Sequence, residues 1–184
     1  IVDPSKNGLQ VDNDGADITR IAFAVDACQA SISRALTAGA GMLFVHHGLF
    51  WKESECLTGI HYKRIKTLLD NNLALYACHL PLDAHTQLGH NAGIAQRLGL
   101  KNIEPFGEWR GKKIGYKGLL SEMLSIDTII QKMYPEGQKP LHVLPFGPKK
   151  IQSVGIVSGG ASDEVWQAMD EKLDLYITGE ISHE

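Results

Sequence analysis

The stretch Ile21-Ala22-Phe23-Ala24-Val25-Asp26-Ala27-Cys28-Gln29-Ala30-Ser31-Ile32-Ser33-Arg34-Ala35-Leu36-Thr37-Ala38-Gly39-Ala40-Gly41-Met42-Leu43-Phe44-Val45 decides the fold class. Ile21 to Val25 is a short uncharged apolar run that reads as a buried strand. Gln29 to Ala38 has helical period, and Met42 to Val45 is a second apolar run. The alternation continues with a helix over His61 to Leu69, a strand over Leu73 to Cys78, and a helix over Ala92 to Leu98 that Gly99 ends. Strands alternating with helices predict an α/β protein whose sheet is built from strand-helix-strand crossovers.

From Gly111 the pattern changes. Lys113 to Leu120 and Leu141 to Leu144 read as strands flanking a helix at Ile126 to Met133, with Pro135, Pro140, Pro145 and Pro148 marking turns. The expected organisation is an N-terminal α/β lobe over 1–110, an insertion or second-lobe segment over 111–150, and a second strand-helix-strand unit beginning at 151–184. That last segment echoes the first. Setting Ile21 against Val154 lays Ile21-Ala22-Phe23-Ala24 over Val154-Gly155-Ile156-Val157, and the same offset lays Met42-Leu43-Phe44-Val45 over Leu175-Tyr176-Ile177-Thr178. His46-His47 then stands opposite Gly179-Glu180, which makes Glu180 a candidate cavity-lining residue. The other reading is that any two such units align this well.

Bulk properties narrow the functional classes. The 184 residues are 43% hydrophobic and 21% charged, ordinary for a globular protein, and the formal charge of −3 lacks the basic excess that a sequence-independent grip on nucleic acid requires. No run approaches the roughly 20 apolar residues of a membrane helix. Three widely spaced cysteines without a CxxC pair point to a reducing, cytoplasmic setting. The chain begins at Ile1 and stops at Glu184 just after an apolar run, and is expected to be a fragment.

Two stretches carry chemistry. Val45-His46-His47-Gly48-Leu49-Phe50-Trp51 puts two adjacent imidazoles where a strand runs out. Neighbouring strand side chains alternate faces, so the pair serves one ion only if the backbone turns there, or else serves two ions. Tyr76-Ala77-Cys78-His79-Leu80-Pro81-Leu82-Asp83-Ala84-His85 ends another strand with two histidines and a carboxylate, and Pro81 reads as a rigid, non-helical exit. Imidazoles with a carboxylate suit Zn, Mn, Fe or Co better than Mg or Ca. His79 and His85 read either as supporting hydrogen-bonding groups or as proton carriers. His61, His90 and His142 rank below them. Ser158-Gly159-Gly160 precedes a helix at Glu164 to Met169 and reads either as a phosphate cradle or as a plain strand-to-helix turn capped by Ser162. Trp51-Lys52-Glu53-Ser54-Glu55 reads as a cavity rim or a solvated loop, and the aromatic groups of Leu49-Phe50-Trp51 are expected to anchor an interface.

Four ordered motifs, Asn7-Gly8-Leu9-Gln10-Val11, Val45 to Lys52, His79 to His85 and Tyr176-Ile177-Thr178-Gly179-Glu180, resemble those of the NIF-three-like family, whose bacterial members are often labelled GTP cyclohydrolase I type 2 homologues. The resemblance implies two interlinked α/β lobes, a toroidal homohexamer, and a centre of two divalent metal ions for which His46, His47 and Asp83 match ligands. The family's further His and Glu, in a GHHxxE-like motif, do not occur in these residues, and nothing in the motif match promotes Glu180 or His183 to replace them. Two ions sharing three protein ligands are therefore expected to be held poorly.

Two functions follow from this reading. One is a metal-dependent hydrolase of the GTP cyclohydrolase I type 2 homologue type acting on a small molecule. The other is a non-catalytic metal-binding oligomeric scaffold or regulatory protein that binds a partner protein. An open coordination position distinguishes them.

Overall fold

The computed structural model describes residues 2–52 and 56–183 and divides into two compact units, Ile1–Leu82 and Asp83–Glu184. The first unit holds β1 (Gly8–Val11), β2 (Ile21–Asp26), α1 (Gln29–Thr37), β3 (Met42–His47), α2 (Gly59–Asp70) and β4 (Ala74–Ala77), and the one-turn helix α3 (Leu80–Asp83) leads out of it. Its sheet has the order β1-β4-β3-β2, with β2, β3 and β4 parallel and β1 antiparallel to β4. Consecutive crossovers of one hand in that order bring both helices to one face. Leu43, Val45, Leu75 and Ala77 point into that face and form one core with Ile32 and Ala35 of α1 and Ile65 and Leu68 of α2. The other face carries an aromatic row, Phe23–Phe44–Tyr76, with ring centroids 5.5 and 5.3 Å apart.

The second unit holds α4 (His90–Leu98), β5 (Lys101–Trp109), β6 (Lys112–Leu124), α5 (Ile126–Met133), β7 (Ile151–Val157), α6 (Val165–Asp170) and β8 (Leu175–Thr178). Its sheet runs β5-β6-β7-β8, antiparallel except for the parallel pair β7–β8. Val154, Ile156, Leu120, Ala95, Leu98 and Ile129 make its core. The change of pattern at Gly111 falls at the hairpin between β5 and β6, where Arg110 and Gly111 both take positive φ. Leu141 to Leu144 is not a strand. Pro140 and Pro145 bracket it, and Leu141 and Leu144 lie exposed. The helix expected at Glu164 starts one residue later, with Glu164 rather than Ser162 as its N-cap.

The echo between the two segments holds in detail. β2–β3 pairs Ile21 with Met42 and β7–β8 pairs Val154 with Leu175. The turn after α1 uses Ala38 N–H to Arg34 O, Gly39 N–H to Leu36 O and Ala40 N–H to Ala35 O. The turn after α6 repeats all three with Glu171 to Gln167, Lys172 to Met169 and Leu173 to Ala168. Even the left-handed residue is shared, at Gly39 (φ 66°) and Lys172 (φ 56°).

Asp174 ties the parallel pair together before β8. Its carboxylate accepts from Gln152 N–H and Ser153 N–H, and its own N–H donates to Ser153 Oγ. Burial alone would raise this carboxyl, but the hydrogen bonds from Ser153 and Gln152 outweigh it and hold it below the ordinary 3.8. A carboxyl lowered in the folded state stabilises above its unfolded value and loses that contribution as pH falls through the folded one. Asp174→Ala is expected to cost about 1–2 kcal/mol at neutral pH, with the gap to the parent closing under acid, as read by urea unfolding at several pH values. A gap independent of pH would contradict the assignment to the carboxylate.

Candidate metal centre

The carboxyl end of β3 and the residues just after β4 bring His46, His47 and His79 together. Their ring centroids lie 4.5 Å (His46–His47), 4.9 Å (His46–His79) and 5.5 Å (His47–His79) apart. One ring nitrogen from each lies within 4.8 Å of the others, a span that a single ion can bridge. The strand does not end before the histidine pair, as the alternation argument requires. His46 and His47 are the last two residues of β3. On the β4 side, however, the ladder stops at Val45–Ala77, while on the β2 side it runs to Asp26–His47. Release of one edge lets neighbouring side chains turn toward one another.

Each ring is oriented by an acceptor on Nδ1. His46 Nδ1–H donates to Cys78 O (3.1 Å), His47 Nδ1–H to Asp26 Oδ1 (2.7 Å) and His79 Nδ1–H to Asp3 Oδ1 (2.8 Å). With the Nδ1 proton fixed, the neutral ring presents its lone pair at Nε2, the arrangement that tunes and aims a metal-ligating imidazole. Asp3 and Asp26 are functional residues that the sequence reading missed. No motif marks them, since each is placed only by the fold. Asp3 is nearly buried at 4% side-chain exposure. Burial would raise its carboxyl, but hydrogen bonds from Asn7, His79, Ser5 and Leu80 outweigh that and hold it low.

The Asn-Gly-Leu-Gln-Val segment supports the histidine turn. Gln10 Oε1 accepts from Leu49 N–H (2.7 Å) and Phe50 N–H (3.3 Å), while its amide nitrogen donates to Lys6 O and Phe50 O. Gly48 is required because this amide lies where a Cβ would be, 2.3 Å away, rather than for any left-handed backbone. Gly48→Ala is expected to displace Gln10 and cost about 1–3 kcal/mol through the hydrogen bonds lost. A thermal midpoint unchanged from the parent would show that Gln10 moves aside freely. The aromatic loop is folded in rather than left in water. Leu49 is buried, Phe50 meets His61 edge-on, and Trp51 packs against His79 with its indole N–H on Gly48 O. Of the suggested cavity rim, Glu53, Ser54 and Glu55 lie outside the described residues.

Asp83 belongs to the second unit, at the last position of α3. Pro81 does not enforce a non-helical exit but sits within this single helical turn, where a missing N–H costs nothing. Asp83 is 6% exposed. Its Oδ1 accepts from His90 Nδ1–H (2.7 Å) and Ser158 Oγ–H (3.0 Å). Ser158 is thus committed to the carboxylate, and its N–H donates to Asn91 Oδ1 (2.6 Å). The Gly159 oxygen accepts from Ala161, Gly179 and Glu180 N–H and from Thr178 Oγ. Gly160 and Glu180 lie exposed beside this turn. His85 caps a turn, its Nδ1 accepting from Gln87 and Leu88 N–H. His90, ranked low from sequence, also lines a groove of about 790 Å³ with Arg97, Met133, Tyr134 and Gln138.

No helix among the described residues is long and apolar enough to cross a membrane. Residues 2–184 match the family described as Duf34/NIF3 (NGG1p interacting factor 3). A Treponema pallidum protein named GTP cyclohydrolase 1 type 2 homolog is 44% identical over 98% of this chain and 75% of its own length. Among solved structures, protein ybgI, described as of unknown function, is 36% identical with a TM-score of 0.89, covering 100% of this chain and 72% of that one. A protein from Thermus thermophilus is 34% identical with a TM-score of 0.85, over 99% of this chain and 71% of that one.

Proposed function

Because the chain belongs to the Duf34/NIF3 family, we propose that it holds two divalent metal ions through His46, His47 and Asp83 and acts as a metal-dependent hydrolase on a small molecule in the cytoplasm. The observation that carries this reading is the set of three imidazoles whose Nδ1 groups are all oriented, by Cys78 O, Asp26 and Asp3, while one ring nitrogen of each lies within 4.8 Å of the others. A histidine cluster with no binding task has no need of three separate orienting acceptors. The imidazole and carboxylate donor set fits Zn, Fe, Mn or Co. Such an ion supplies Lewis acidity and lowers the pKa of water toward about 7.

This chain's own residues supply the rest. Asp3 and Asp26 hold the rings, His90 and Ser158 hold the Asp83 carboxylate, and Trp51 shields one side of His79. His79 serves in this reading as the third imidazole beside His46 and His47, and His85 spends Nδ1 on its own turn, so neither is kept as a proton carrier. The relatives' name makes GTP the first compound to try, although nothing in the site reads guanine. Self-assembly into a homohexamer is part of the same reading, supported by Leu141 and Phe146 at 88% and 89% exposure, surfaces that an assembly would cover.

The test is a hydrolysis screen with GTP, other nucleotides, phosphoesters and cyclic amides, run with and without chelator. Turnover that disappears on chelation and returns with added metal is expected. Robust turnover by metal-stripped protein would contradict the hydrolase, and tight metal binding with no turnover on any class would favour the scaffold.

A further inference from the structure

The three imidazoles of the candidate centre are not held alike. His46 Nδ1 meets the Cys78 carbonyl, and His47 Nδ1 meets the Asp26 carboxylate, whose side chain is 62% exposed. His79 is gripped at two points. Its ring meets Asp3 Oδ1 (2.8 Å), and its backbone N–H donates to Asn7 Oδ1 (2.6 Å). Asn7 Nδ2 in turn donates to Asp3 Oδ2 (2.8 Å), so His79, Asn7 and Asp3 close a cycle of hydrogen bonds.

Each atom in that cycle has one possible role. The amide oxygen faces a backbone N–H and the amide nitrogen faces a carboxylate, so flipping the amide would set donor against donor and acceptor against acceptor. Asp3 is fully used: Oδ1 accepts from His79 and from Ser5 N–H (2.8 Å), Oδ2 from Asn7 and from Leu80 N–H (2.9 Å). A carboxylate only accepts, so the His79 ring proton stands on Nδ1 and the lone pair on Nε2. The fold explains how residue 7 reaches residue 79. β1 runs antiparallel to β4 with Gly8 beside Ala77, which sets Asn7 against the residues that follow the end of β4. Gly8 takes φ 107°, so the residue after Asn7 is glycine for a backbone reason.

The geometry points to Asn7 as the positioning residue of His79: it fixes the backbone and the Asp3 carboxylate that together set the direction of Nε2. Asn7 offers an ion nothing itself, since its oxygen and its nitrogen are both engaged. The inference rests on the proposed ion at His46, His47 and His79. Removing the amide takes one donor from Asp3 and the acceptor from the His79 N–H, and the ring regains freedom about its side-chain bonds. Nε2 then spends part of its time protonated or turned away, and a ring that must be reordered before it binds holds an ion less tightly. Asn7 is exposed, so its truncation opens no cavity.

The test reads the rings first and the metal second, on the whole chain. In isotopically labelled protein without metal, at mildly alkaline pH where imidazole is neutral, proton–nitrogen correlations through the ring bonds report which nitrogen of each histidine carries the proton. The parent is expected to show His79 protonated on Nδ1. Asn7→Ala should move His79 toward a mixture of the two forms while His46 and His47 keep theirs, and its calorimetric affinity for zinc should fall about tenfold, the lower end of the loss on removing an orienting group. Asn7→Asp keeps the acceptor but sets a second carboxylate against Asp3, and should bind zinc no better than Asn7→Ala. The assignment is overturned by a parent His79 protonated on Nε2, by an Asn7→Ala ring pattern identical to the parent's, or by a shifted ring with unchanged zinc affinity. All three rings shifting together would also overturn it, as the mark of a merely structural role. A parent that binds no zinc would instead sink the metal centre, and the ring pattern, read without metal, would still decide whether Asn7 sets His79.

Discussion

Replacing Asn91 by Ala is expected to remove about 3 kcal/mol or more of stability. Asn91 is 0% exposed. Its Nδ2 donates to Ile114 O (2.9 Å) and Asp83 O (3.3 Å), and its Oδ1 accepts from Ser158 N–H (2.6 Å). It therefore joins α4, β6 and the end of β7 through one amide. Truncation leaves the Ser158 N–H and the Ile114 carbonyl without this partner, each worth about 1–3 kcal/mol when buried and unpaired, and adds a cavity. With a urea slope of about 1–3 kcal/mol per M, the midpoint should fall by roughly 1 M or more. Asn91→Asp should be no milder, since it keeps the acceptor but loses both donors and brings a second carboxylate beside Asp83. A midpoint within experimental error of the parent for both variants would show that water replaces the amide, and the junction would not depend on Asn91.

The second large effect concerns metal. His46→Ala is expected to weaken binding of the first zinc equivalent by more than 100-fold, a loss beyond the roughly 10–100-fold typical of removing a group that only orients a ligand. Asp26→Ala and Asp3→Ala should fall in that lower range, because each frees an Nδ1 proton without deleting a donor. Calorimetric titration at neutral pH, with circular dichroism to confirm the fold, separates the two classes. His46 and Asp3 variants with equal losses would mean that His46 acts as an orienting group rather than a ligand.

Which parts of this structure could be read from sequence follows from physical causes. β2, β3, β4, α1 and α4 were legible because an apolar period is imposed wherever an element is packed on a core. β5 was not, since Lys101 to Trp109 is an antiparallel edge strand with charged residues and Pro105, and an edge strand has no continuous buried face to advertise. Leu141 to Leu144 misled for the opposite reason, being apolar without a partner strand. The histidine motifs were visible as clusters in sequence. Their orienting groups were not, because Asp3 is 76 residues from His79 and Ser158 is 75 from Asp83. His90 stands seven residues after Asp83 across a helix start, a spacing that signals nothing until α3 and α4 are placed. The reason for Gly48, the close approach of the Gln10 amide, has no local signature in the sequence.

The central claim is that His46, His47 and His79 present Nε2 to a divalent ion. X-ray absorption at the zinc edge, on protein loaded with one equivalent, tests it most directly. The account predicts a first shell at about 2.0–2.1 Å with the outer-shell scattering of at least two imidazole rings, reduced by one ring in His46→Ala. A shell of oxygen atoms alone, or a spectrum that His46→Ala leaves unchanged, would contradict it.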